Sequence, residues 1–246
     1  MYLHSSYGSY STVYSWPDKR VSYTAQGYSG TTLYDSTPSY LIQSQYNQKK
    51  ENNPHSSIIV EEFLAKDRPQ TPFINSLGEI KTVVDEAFKS ITTHEFPHDA
   101  IRIAILPKEW FKETFLNTGG RWSEGIMGFS LNRFGKGISE IVVKEEHLDS
   151  LLLTIGHEIG HVLSPTLPSI QDEEAKAHAF SLAWMETIRD NNIAGLQPNI
   201  LINPAKNGIH DVGFEFVQYL MQAGSSALDV FKTLSRGLAS IIAREA

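Results

Sequence analysis

The sequence contains no cysteine. Disulfides and thiolate metal sites are excluded, so any metal must be held by histidine and carboxylate ligands. Basic residues are also scarce. Lys and Arg total 21 against 28 Asp and Glu, the net charge is -7, and no cluster of Lys and Arg forms a basic stripe. That balance argues against a nucleic-acid partner. No run of about 18 apolar residues occurs, so no membrane span is expected. Met1-Tyr2-Leu3-His4-Ser5-Ser6 has neither the basic start nor the apolar core of a signal peptide. The expectation is a soluble, cytoplasmic protein.

What is present is unevenly distributed. All but one of the ten tyrosines lie between Tyr2 and Tyr46, among many Ser, Thr, Gly and Gln residues. Up to Gln48 only Asp18, Lys19, Arg20 and Asp35 are charged, and no helical apolar period survives. Residues 1–56 therefore read as a low-complexity arm, extended or weakly ordered. Clustered tyrosines offer contact area at low entropic cost. The arm is thus a candidate for self-association or for covering a cleft.

From residue 57 to 246 the pattern is that of one globular domain. Ser76-Leu77-Gly78-Glu79 forms a capping box. It opens a stretch in which Leu77, Ile80, Val84, Phe88 and Ile91 recur at helical spacing. Ile101 to Leu106 is short, apolar and β-branched between Pro97 and Pro107, which predicts a strand. Trp110 to Phe115 reads as one or two helical turns. Ile126 to Leu131 and Ile138 to Val143 predict a hairpin with a glycine-containing loop. Helices are then expected at about 148–163, 172–190, 211–222 and 226–244. This order predicts an α+β fold, with a small, mostly antiparallel sheet packed against the first of these helices and the later ones.

The chemistry is concentrated in Thr154-Ile155-Gly156-His157-Glu158-Ile159-Gly160-His161. Leu152, Ile155, Ile159 and Val162 place it on a buried helix. His157 and His161 are then one turn apart on the same side. Two imidazoles so spaced reach one zinc at about 2.0–2.1 Å. Glu158, rotated by about 100° from His157, stands beside the metal as a general base rather than on it. The alternative, a helix with two surface histidines, fits poorly, because Leu, Ile and Val surround both rings and unpartnered polar groups there are costly.

A third ligand is needed, and the helix after Gln171 is its source. Glu173 shares a stripe with Ala177, Phe180, Trp184 and Ile188. Glu174 shares a side with His178 and Ser181, and either glutamate suits the role. Asp172 reads as an acidic first turn that complements the helix dipole.

His-Glu-x-x-His followed by a Glu on the next helix resembles the gluzincins, zinc metallopeptidases of the thermolysin type. The resemblance covers residues 124–185, and the short gap between the motifs is similar to the small, compact members. It implies a zincin-like fold with one catalytic Zn2+ on His157, His161 and a downstream Glu. Glu158 becomes the base for hydrolysis of peptides or unfolded protein segments. In that family a small residue follows the ligand Glu, and a polar residue four positions on supports a zinc-bound histidine. Glu174-Ala175-Lys176-Ala177-His178 matches that layout, which favours Glu174 as ligand and His178 as its supporting neighbour, although an Asp is usual at that last position. The resemblance also implies a substrate-pairing strand before the zinc helix, either 126–131 or 138–143. An oxyanion donor on a later segment is also implied, for which His210 is the candidate. Tyr219, in an apolar helix, is expected in the core, and His94, His98 and His147 at the surface. Two other functions fit the same residues: a metal-binding interaction or assembly module, and a zinc hydrolase specific for one regulatory partner. A general base at Glu158 argues for the enzyme.

Overall fold

Ser76 closes the first long helix by local chemistry: its N–H and hydroxyl donate to the Glu79 carboxylate at 3.0 and 2.8 Å. The computed structural model describes residues 60–202 and 212–242, all within one unit. The N-terminal arm and His210 lie outside the described residues.

In chain order the elements are β1 (Phe73–Ile74), α1 (Leu77–Thr92), β2 (Ile101–Leu106), α2 (Lys108–Asn117), β3 (Gly128–Leu131), β4 (Ser139–Lys144) and β5 (Glu146–His147). They are followed by α3 (Leu148–Val162), α4 (Ile170–Asp190), α5 (Val212–Gln222) and α6 (Ala227–Ser235). The fold is α+β, as expected. The expected hairpin is β3–β4, antiparallel with Phe129 opposite Val142. The two-residue strands β1 and β5 pair antiparallel, whereas β2 runs parallel to β4.

The sheet order β2–β4–β3 makes β4 central and leaves β3 at an edge. Alternation along the strands builds a core on each face. Ile141 and Val143 of β4 join Ile101, Ile103 and Ile105 in the main core with α1, α3 and α4. Val142 and Phe129 point the other way and pack with Phe111 and Phe115 of α2. Roughly 1.5–3 kcal/mol per fully buried large apolar side chain holds such layers together.

Helix α3 is buried along its whole length. Helix α4 folds back along it, antiparallel: His161 meets Glu173 near one end and Leu152 meets Trp184 near the other. Two glycines permit this approach. A Cβ on Gly160 would lie 2.8 Å from Ala177 Cα, and one on Gly156 would run into the Trp184 ring. The indole Nε1 donates to Leu152 O at 2.9 Å.

Two expectations need correction. The last helix does not run to about residue 244. It ends at Ser235, where Gly237 adopts φ 66° and the N–H groups of Gly237 and Leu238 bond to Leu234 O and Thr233 O. This is a Schellman stop. Tyr219 is not in the core; it is 67% exposed on the outer face of α5, while Val217 is buried. Among the described residues no helix is long and apolar enough to cross a membrane.

Candidate metal centre

One turn of α3 and the first turns of α4 bring three ligand atoms together. His157 Nε2 and His161 Nε2 lie 3.3 Å apart. Glu174 Oε2 lies 3.5 Å from the first and 3.9 Å from the second. Among the described residues His157, His161 and Glu174 are the group that could hold a metal ion. A point equidistant from the three atoms of this triangle is about 2.1 Å from each, within the zinc–nitrogen and zinc–oxygen range. Two imidazoles and one carboxylate form a donor set that suits a catalytic divalent ion with a position left open.

The charge states of His157 and Glu174 favour ligation. Burial pushes the His157 imidazole below its ordinary pKa, against the hydrogen bond to Glu174, and the neighbouring His178 and His161 charges add to the fall. Its unprotonated form is the one that binds metal. Burial would raise the Glu174 carboxyl, but the bond to His157 and the surrounding imidazoles hold it well below the usual carboxylate range. For His161 burial opposes protonation. The Glu173 hydrogen bond, with the Glu174, Glu173 and Glu158 charges, outweighs it and raises the pKa.

Of the two competing glutamates, Glu174 reaches the Nε2 atoms, and Glu173 takes the opposite side of a ring. Its Oε1 accepts from His161 Nδ1 at 2.9 Å. Its Oε2 accepts from Leu167 N at 2.8 Å and from Lys176 Nζ at 2.9 Å. Glu173 thus orients His161 from behind. His178 is buried, its ring 4.9 Å from that of His157.

Glu158 is 5% exposed, and among the described residues no donor hydrogen-bonds its carboxylate. It faces β3: a Cβ on Gly128 would stand 3.2 Å from Glu158 Oε1. The Lys144 N–H donates to Met127 O at 2.9 Å. By antiparallel alternation, Gly128 and Ser130 therefore turn their N–H and C=O to the open edge. Asn132, just beyond β3, donates to His161 O at 2.7 Å and Ser164 O at 2.8 Å, which ties the strand's exit to the end of α3.

The other histidines stay apart from this group. His98 bonds Asp85 at the surface, and His94 bonds Thr92 O. His147 is half-buried, its Nδ1 2.8 Å from Thr71 O. Sequence reasoning missed Gly128, Asn132 and Lys176. A charged residue among Ala175, Ala177 and Ala179 was the signal for Lys176, and a glycine inside a strand for Gly128. Asn132 carried none. Compared with models of known families, curated proteins and solved structures, the chain gives no match.

Proposed function

We propose that this chain is a zinc-dependent metallopeptidase of zincin-like, gluzincin type, which hydrolyses peptides or unfolded protein segments. The observation that carries the reading is the His157–His161–Glu174 triangle, sized for one ion, with the buried Glu158 carboxylate near enough to act on the His161 ring. Zinc held there supplies Lewis acidity, acidifying water and polarising a carbonyl for hydrolysis at neutral pH.

In this reading an extended substrate pairs with the open edge of β3, through the backbone groups of Gly128 and Ser130. Glu158 removes a proton from water as its oxygen bonds to the scissile carbonyl carbon. It then delivers that proton to the departing amine nitrogen as the C–N bond breaks. His210 is the proposed donor to the oxyanion. His157, His161 and Glu174 hold the ion, and Glu173 and His178 orient the rings.

The test is zinc content by elemental analysis, together with cleavage of a denatured protein, for wild type and Glu158→Gln. One zinc per chain in both, with cleavage only in wild type, is the expected result. Zinc in both and cleavage in neither points to a metal-binding module instead. Zinc-replete protein that retains no metal removes the basis of the reading.

A further inference from the structure

Lys176 has no solvent exposure at all. An ammonium in such a place is costly unless every proton finds an acceptor. Here three do: Nζ lies 2.9 Å from Glu173 Oε2 and 3.3 Å from both His161 O and Pro165 O. Lys176 therefore meets His161 twice. It bonds the residue's own carbonyl directly, and it shares with the ring the single carboxylate of Glu173.

That carboxylate is the link. A carboxylate can only accept, so His161 Nδ1 carries a proton, and Nε2, turned toward His157 and Glu174, is the nitrogen left available to a metal. Lys176 draws Glu173 Oε2 away from the ring and leaves Oε1 to it. Without the ammonium, Oε2 retains, among the described residues, only the Leu167 N–H, and the carboxylate loses its fixed orientation.

We propose that Lys176 is a positioning residue for metal binding, acting through Glu173 to hold His161 in its ligating tautomer and orientation. This rests on the reading of His157, His161 and Glu174 as a zinc site. A purely structural staple between α4 and the turn at Pro165 predicts something different: lost stability with unchanged metal affinity.

The experiment is a zinc dissociation constant for the full chain, measured by competition with a chromophoric chelator, and the melting temperature of the metal-free protein. The proteins are wild type, Lys176→Met, Glu173→Gln and the double variant. Lys176→Met is expected to weaken zinc binding about 10–100-fold, the range seen for outer partners of metal ligands. In the Glu173→Gln background its removal should leave the zinc constant within about twofold, since coupled residues do not add. If Lys176→Met alone does not fold, the comparison of Glu173→Gln with the double variant, which buries no charge at either position, still decides. A lower melting temperature with unchanged zinc affinity overturns the proposal, as does a further tenfold loss in the double variant. Failure of the wild type to bind zinc instead overturns the metal site itself, and the proposal with it.

Discussion

Glu158, Glu173 and Glu174 are chemically alike and differently placed, so three identical substitutions should have three outcomes. On the proposed zinc site Glu174→Gln would remove a charged ligand, and its loss of zinc affinity should exceed the about 10–100-fold expected of an outer partner such as Glu173. Chelator competition on both variants measures this, and a larger loss in Glu173→Gln would exchange their roles. Glu158→Gln should retain full zinc and lose turnover by roughly 10²–10⁴, the usual worth of a general acid–base. That His157 and His161 stand together on one side of α3 was legible in the sequence, because positions four apart on a helix suffice to define it. Helical spacing alone left the choice between Glu173 and Glu174 open, and only the resemblance favoured Glu174. Neighbours on a helix differ by about 100°, and which of them meets the metal depends on how α4 is rotated about its axis. That rotation is fixed by the packing of Trp184 against Gly156 and of Ala177 against Gly160, contacts between residues remote from each other in sequence. Lys176 was hidden for a similar reason: two of its three acceptors, His161 O and Pro165 O, come from α3 and the following turn, distant in sequence.

At the scale of elements, the site is an intersection of β3, α3 and α4, and glycine sets both contacts. Gly128→Ala would bring a Cβ to 2.7 Å from Thr154 Cγ2 and 3.2 Å from Glu158 Cγ. We expect this variant to keep its zinc and lose most of its activity, because the added methyl clashes with Thr154 and crowds Glu158, one turn on; unchanged cleavage would separate β3 from the chemistry. Gly160→Ala meets backbone instead, at Ala177 Cα and O, 2.8 and 2.9 Å away. Here α3 and α4 must part, and a loss of about 1–3 kcal/mol, typical of overpacking, should appear in denaturant unfolding. Strand β2 and the β3–β4 hairpin followed from alternation and punctuation in the sequence, which are local. The end of α6 did not, because apolar residues continue past Gly237 while the backbone turns there. Tyr219 failed differently: an apolar helix allows several faces inward, and packing against α4 chose the one bearing Val217.

At the scale of the molecule, Asp149 ties distant segments to the start of α3. It accepts from Arg68 Nε at 2.8 Å and from Thr71 Oγ1, Ser150 N and Asn199 Nδ2, each at 2.9 Å. Burial alone would raise its pKa. The bonds from Asn199, Ser150 and Thr71, with the Arg68 charge, outweigh that and hold it below the ordinary value. A depressed folded pKa contributes stability that is present above the unfolded value of about 3.9 and is lost as pH falls through the folded value. Melting temperature should therefore drop on acidification below about pH 4, and Asp149→Asn should make that drop shallower; an identical acid profile in both would exclude Asp149 as its source. The ligand triangle has a consequence of its own. Its three atoms are held apart by interlocked helices, so as a zinc site it would be a ready-made receptor rather than a knot that the ion ties. Zinc fingers collapse when chelated because the ion is their scaffold. Here a chelator should empty the site while helical circular dichroism stays unchanged, and added zinc should restore activity at once, without refolding. The ion would come and go as a guest, and the chain could wait for it fully assembled.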